Sequence, residues 1–419
     1  MDVYNENIEF GSADHSFSSM GQKRAEVVVL YDFQDFLSIF HFIHKKALLH
    51  EQKRLLSFLK GGIVMSRFLN SRYAELHPYV PGEQPKDRTY IKLNANESSV
   101  PPSPAVLEAL SVPLINGMGR YEDPHCMDFR KAIAEVYHVT PEQVFVGNGS
   151  DEVLGFCFLT FFSGRSKICF PDITYGFYQV YADTFGVDAQ VFALKPDFSI
   201  DVDAYVRTDR HVILANPNAP TGLCLPVSDI ERILRANRDR LVVIDEAYVD
   251  YGNKSCAPLV EKYPNLIVVQ TFSKSRNLAG ARLGFAIASK EIIKDMNAIK
   301  FAFNPFNLSE MALAAGTAAV KDTAYLEKCV KQIVKTREYT VQTLRSLGFY
   351  ILESHTNFIF VKHPVLFAGD YYRRLRENGI LTRYYDEDRI RDYLRITIGT
   401  PEEMDEVLRV TKSILCAVA

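Results

Sequence analysis

Hydrophobic positions along the chain gather in short unbroken runs, and each run ends in a loop rich in Gly, Asn, Asp or Pro. The runs are Val144-Phe145-Val146, Lys167-Ile168-Cys169-Phe170, Val212-Ile213-Leu214-Ala215, Leu241-Val242-Val243-Ile244 and Leu266-Ile267-Val268-Val269. Their near-continuous, β-branched character predicts strands covered on both faces. Between them, amphipathic stretches predict helices over 128–137, 175–185 and 227–238. The alternation predicts an α/β fold: an open, mostly parallel sheet with its site at the carboxyl ends of the strands.

Past residue 321 the pattern changes. A long charged helix over 325–347 leads into apolar runs at 349–352 and 358–361, a helix over 369–378 and a further run at 393–398. This predicts a smaller α+β domain. Residues 65–112 are expected to pack with it, 113–330 to form the large domain and 331–419 the small C-terminal one. No internal repeat or low-complexity tract interrupts this order.

Residues 1–64 carry none of the later motifs. A small regulatory or DNA-binding module is one function for such a segment, but a winged helix-turn-helix needs several helices and a hairpin, and the stretch is short for that. The expectation is an extension outside the fold. Lys60-Gly61-Gly62 can be encoded by a purine-rich ribosome-binding sequence just ahead of Met65, which makes translated leader a specific form of that expectation.

Composition narrows the function classes. With 47% hydrophobic and 24% charged residues, the 419-residue chain has material for a large core. Its 48 Lys+Arg against 51 Asp+Glu leave a formal charge of -3, so no net field draws it to nucleic acid or an anionic membrane. The seven cysteines are scattered, odd in number and free of any C-x-x-C pair, against both a disulfide framework and a zinc site. No run approaches the roughly 20 apolar residues of a membrane span, and the N-terminus has no secretory pattern. A reducing cytoplasm fits, with no metal centre; His77, His125 and His355 are isolated and read as packed or exposed side chains.

The candidate chemistry sits on strand ends. Lys274 follows an apolar strand in the Ser- and Gly-rich segment from Thr271 to Gly284, where burial and nearby cations would free its amine as a nucleophile for a Schiff base. Arg282 and Ser273 could hold a phosphate there. The segment lacks the spacing of a nucleotide P-loop. Asp245 ends the strand before it and Tyr248 follows three residues on. A buried carboxylate facing a pyridine nitrogen would keep that nitrogen protonated, as an electron sink requires. A helix-capping carboxylate is the plainer alternative for such an aspartate taken alone. Gly147-Asn148-Gly149-Ser150-Asp151-Glu152 passes from strand to helix with backbone N–H groups available to a phosphate. Tyr175 starts a helix where it could stack on a ring, and Asn216-Pro217-Asn218-Ala219-Pro220-Thr221-Gly222 brings an amide nearby. Each is weak alone; their order and spacing together are specific.

With Lys92-Leu93-Asn94-Ala95-Asn96-Glu97, Arg120-Tyr121 and Leu394-Arg395-Ile396-Thr397-Ile398-Gly399 added, the set resembles the fold-type I aminotransferases that use pyridoxal 5'-phosphate, and within them the histidinol-phosphate aminotransferases of histidine biosynthesis. The resemblance runs from Met65 to the end of the chain. It implies a homodimer with a large mixed, mostly parallel sheet domain and a smaller α+β domain. It implies transfer of an amino group between histidinol phosphate and 2-oxoglutarate or glutamate, with no nucleic-acid or membrane partner. Lys274 would carry the cofactor and move the proton. Asp245 would face the ring nitrogen, Tyr248 and Asn218 the ring oxygen, and Tyr175 the ring face. Ser150, Asp151, Ser273 and Arg282 would hold the phosphate, with Tyr121 entering from the other subunit. Arg395 and Arg383 would bind the substrate anion, two guanidiniums suiting a phosphate dianion. The sequence departs from the family at Ala219, where many relatives have a second asparagine, and at Ser98-Ser99-Val100, where Pro and an aromatic often follow. An aromatic or broad-specificity transaminase, a phospho-amino-acid decarboxylase and a transcription regulator with an aminotransferase-like sensor domain are the alternatives.

Overall fold

The computed structural model describes residues 66–417 except Glu75 and Arg165, so the expectations for residues 1–64 lie outside the described residues. All five apolar runs form strands. In chain order the strands are β1 (Ile91–Lys92), β2 (Val144–Asn148), β3 (Lys167–Pro171), β4 (Asp188–Phe192), β5 (His211–Ala215), β6 (Val242–Asp245), β7 (Leu266–Thr271), β8 (Leu283–Ala288), β9 (Tyr350–Ile351), β10 (Phe358–Lys362), β11 (Ile380–Leu381), β12 (Arg383–Tyr384) and β13 (Leu394–Thr397). Seven of them make one sheet in the order β2-β8-β7-β6-β5-β3-β4. Strands β4, β3, β5, β6 and β7 run parallel, and β8 runs antiparallel to both β2 and β7. The sheet is therefore mixed but mostly parallel.

Its two faces are both covered, which is why the runs are unbroken. Val242 and Ile244 of β6 face one core with Val212, Leu214 and Val268, while Val243 faces another with Ile213, Ile267 and Val269. Side chains alternate between the faces, so every position is apolar. The helices Met127–Tyr137, Phe177–Phe185 and Val227–Ala236 lie close to the predicted spans. The last ends early because Asn237 is buried and its amide donates to the carbonyls of Tyr205 at 3.0 Å and Ile233 at 2.8 Å.

Strand β8 is not among the predicted runs, because it begins within the Ser- and Gly-rich segment from Thr271 to Gly284. Instead the strand is fully buried, and Gly284 pairs with Gly147 of β2. A Cβ there would overlap the backbone of Gly149 and Ser150. Gly284→Ala is expected to destabilise the protein by about 3 kcal/mol or to prevent folding. Urea unfolding followed by circular dichroism checks this.

A second sheet, β12-β13-β10-β9, is antiparallel. Its core includes residues of the helices Thr323–Ser346, Ala368–Glu377 and Pro401–Cys416. The last helix was missed, although Thr400, Pro401 and Glu403 spell its start: Thr400 and Glu403 form a reciprocal capping box. Strand β1 pairs in parallel with β11 in a separate two-stranded sheet and so ties the segment before the large sheet to the chain just ahead of β12. Residues Leu76–Ala419 form one compact unit, and the boundary expected at 330/331 falls within the continuous helix Thr323–Ser346.

Candidate active site

A cavity of about 290 Å³ opens at the carboxyl ends of β5, β6 and β7. Asp245, the last residue of β6, lines it. One carboxylate oxygen accepts from the Tyr178 hydroxyl at 2.9 Å and the other from the Ala247 backbone N–H at 3.2 Å. Both donors are neutral, so burial wins and the carboxyl is pushed up to about 6. Three residues on, the Tyr248 ring packs edge-on against Phe358, and its hydroxyl accepts from the Asn96 amide at 2.8 Å.

Lys274 enters from the loop after β7. Its Nζ donates to the Ala95 carbonyl at 3.1 Å and lies 5.9 Å from the centre of the Tyr248 ring. Burial, and then the charge of Arg395, lower its pKa to about 8 against the opposing charge of Glu97. The amine is thus poised near neutrality without a carboxylate bonded to it.

At the other end of the cavity, β2 turns into the helix Gly149–Cys157 through Gly149, whose φ of +81 suits glycine. A Cβ on Gly149 would come within 2.6 Å of an Arg282 guanidinium nitrogen, so the small residue leaves room for that arginine. Arg282 itself holds φ at +55, a conformation uncommon outside glycine. Its Nη2 donates to Asp151 at 3.1 Å, while the other Asp151 oxygen accepts from the Tyr175 hydroxyl at 2.7 Å. The Ser273 hydroxyl accepts from Thr271 at 3.0 Å. Ser150, Asp151, Tyr175, Ser273 and Arg282 all line the cavity.

Four expected residues do not line it. Asn218 is buried, but its amide donates to the Ile173 carbonyl and the Thr221 hydroxyl, and its oxygen accepts from Thr174. Ala219 faces the cavity instead. Tyr121 is 81% exposed and stacks on Phe306 at 4.5 Å. Arg383 and Arg395 stand opposite one another on β12 and β13. Arg395 donates to the Asn94 carbonyl at 2.9 Å, and its Nε is buried without a partner. An orphaned cationic donor of this kind fits an anion.

Several contributors escaped the sequence analysis. Tyr178 supports Asp245. Asn96, with φ of +54, is pinned by Thr397 and Asn357 and in turn orients Tyr248. The Tyr79 ring lies 4.6 Å from Phe177 and 6.3 Å from Tyr175, where burial and Tyr385 raise its hydroxyl pKa. Glu97 lines the cavity and pairs with Lys92. The aromatic run around Tyr175 and the Asn-rich 94–97 stretch were visible signals, but their partners are distant in sequence.

A lysine and a carboxylate on neighbouring strand ends, with an anion cradle at one end, are the architecture of a transaminase. Residues 88–410 match the family described as aminotransferase class I and II, and the chain belongs to that family. It is 47% identical over 352 residues to the histidinol-phosphate aminotransferase of Brachyspira hyodysenteriae, which spans 84% of this chain and 99% of that protein. The histidinol-phosphate aminotransferase of Clostridium acetobutylicum is 46% identical over 344 residues, 82% of this chain and 98% of that protein. Among solved structures, histidinol-phosphate aminotransferase from Sinorhizobium meliloti in complex with pyridoxal-5'-phosphate superposes with a TM-score of 0.75 at 26% identity, covering 85% of this chain and 99% of that one.

Proposed function

We propose that this chain transfers an amino group between L-histidinol phosphate and 2-oxoglutarate, giving imidazole acetol phosphate and L-glutamate, with pyridoxal 5'-phosphate as cofactor. The observation that carries the reaction is the meeting, in one cavity, of an amine lowered to about 8 with a buried carboxylate that has only neutral donors. The near-full-length similarity to two histidinol-phosphate aminotransferases supports the substrate.

The residues fit the cofactor. Asp245 would hold a proton at the ring nitrogen, Tyr248 would donate to the ring oxygen, and Tyr175 would cover the ring face. Ser150, Ser273, Arg282 and the backbone N–H groups that start the helix Gly149–Cys157 would hold the phosphate. Both oxygens of the Asp151 side chain are engaged as acceptors, so it would orient Arg282 and Tyr175 and leave phosphate contact to its backbone. With Asn218 committed elsewhere, Tyr248 is the ring-oxygen donor. When bound, pyridoxal phosphate supplies the electron sink that stabilises negative charge on the substrate carbon. Lys274 Nζ would take the proton from that carbon and hold it for return, a task suited to a pKa close to the working pH. Arg395 and Arg383 would receive the phosphate of one substrate and the distal carboxylate of the other, with Tyr79 beside them at the mouth.

The domain division proposed here keeps 113–330 as the cofactor-binding part and 331–419 as the smaller part, with 65–112 joined to it; the β1–β11 pairing supports that join. A homodimer is part of the same proposal. Tyr121 and Phe303, 81% and 75% exposed, are large apolar rings that a second subunit would bury. The seven free cysteines support a cytoplasmic setting, and no helix among the described residues is long and apolar enough to cross a membrane.

Half-reaction rates with histidinol phosphate, phenylalanine and aspartate, followed by cofactor absorbance, test the substrate. Histidinol phosphate is expected to lead. A preference for phenylalanine of more than about tenfold, some 1.4 kcal/mol of transition-state discrimination, overturns the assignment.

A further inference from the structure

Arg383 and Arg395 are direct cross-strand neighbours, and β12 is only two residues long. Like charges placed opposite one another on a sheet repel. Neither guanidinium pairs with a carboxylate among the described residues: Arg383 donates to the carbonyls of Val80 at 3.2 Å and Pro81 at 3.4 Å, and Arg395 to that of Asn94. So short a ladder needs support from outside itself.

The connection from β12 to β13, residues 385–393, supplies it at Arg389. The Arg389 guanidinium forms an ion pair with Asp172 and donates to the carbonyls of Leu194 at 2.8 Å and Lys195 at 3.2 Å. Within the same connection, Tyr393 is buried and stacks on Phe360 at 4.7 Å. Asp172 follows β3 directly, and its second oxygen accepts from the backbone N–H groups of Ile173 and Leu194, both at 2.9 Å. Arg389 therefore docks on the turn that leads into Tyr175. From Tyr175 the contacts run on to Asp151 and Arg282. The arginine hairpin is tied to the wall of the cavity.

We propose that Arg389 is a positioning residue: docked on Asp172, it fixes the Arg383–Arg395 pair beside the cavity and so sets the affinity for the anionic tail of either substrate. This rests on the transamination proposed above, with the two arginines as its anion site.

Half-reactions of purified holoenzyme with glutamate, histidinol phosphate and histidinol, followed by cofactor absorbance, separate the possibilities. Arg389→Ala is expected to raise KM for glutamate and histidinol phosphate roughly tenfold or more, with the limiting rate within about threefold and histidinol unaffected. Asp172→Asn, which keeps the oxygen that caps Ile173 and Leu194, is expected to act alike, and the double variant no worse than either single. Arg389→Lys should restore part of the loss. Unchanged KM for the anionic donors, or equal losses with histidinol and histidinol phosphate, would overturn the proposal. If Arg389→Ala does not fold, Asp172→Asn decides it by the same ratio. Wild-type enzyme that accepts glutamate but not histidinol phosphate would refute the substrate proposed above, and the glutamate KM would still decide the role of Arg389.

Discussion

Lys274→Ala is expected to slow both half-reactions by roughly 10⁴-fold or more, because it removes the one group in the cavity that can both bond the cofactor and move the proton. Lys274→Arg should fall as far. Arginine restores the positive charge, but a guanidinium does not give up its proton near neutral pH and so offers no lone pair. Stopped-flow absorbance with glutamate reads the rates; borohydride reduction followed by peptide mapping reads the covalent link, which is expected on Lys274 alone. Retention of more than about a hundredth of wild-type rate in either variant would move the chemistry to another residue. The pH dependence is equally specific. The neutral amine is the nucleophile, and burial with Arg395 brings its pKa from 10.5 down to about 8. Loading of the apoenzyme with pyridoxal phosphate should therefore speed up as pH rises through about 8 and then level off. An unperturbed lysine would keep accelerating toward its ordinary pKa.

That Lys274 and Asp245 could be found in the sequence follows from where they stand. Each sits at the end of an apolar run, and a charge in that position is conspicuous. Ser150, Ser273 and Arg282 were legible for the same reason, as polar groups in turns leaving buried strands. What escaped depends on contacts between distant segments. Tyr178 looks like any aromatic on a helix until the fold brings its hydroxyl to Asp245. Asn96 becomes an orienting group only once Tyr248, Asn357 and Thr397 surround it. Asn218 and Ala219 show a finer limit. The sequence brings the loop to the cavity, but the backbone path decides that the alanine faces in while the asparagine holds Ile173, Thr174 and Thr221 together. Strand β8 was hidden because glycine marks loops more often than strands, and here Gly284 is required by the close approach of β8 to the backbone of Gly149 and Ser150. Asp151 is placed at the phosphate by the family resemblance. Its side chain accepts from Arg282 and Tyr175, contacts between distant segments that the sequence does not display.

Asp245→Asn is expected to move stability and activity in opposite directions. In the apoenzyme the carboxyl is pushed from 3.8 up to about 6 by burial, against the help of Tyr178 and Ala247. Between those values the folded protein holds the proton more tightly than the unfolded chain does. Stability is therefore lost as pH rises from 3.8 through 6, and above that the ionised group costs on the order of 3 kcal/mol. Asparagine carries no charge to desolvate. Its oxygen can keep the Ala247 bond, and the Tyr178 hydroxyl can turn to accept from its amide. The variant apoenzyme should thus melt above wild type at pH 8, with the gap closing below about pH 4, where wild-type Asp245 is protonated in both states. Its turnover should fall by roughly 100-fold or more, since no negative charge remains to hold a proton at the ring nitrogen. Thermal unfolding of the two apoenzymes across this pH range, beside half-reaction rates of the loaded forms, reads both arms. A wild-type apoenzyme more stable than the variant at pH 8 would mean that Lys274, whose charge lowers the Asp245 pKa, already neutralises it. The carboxylate would then not be waiting, uncompensated, for a cation to arrive with the cofactor.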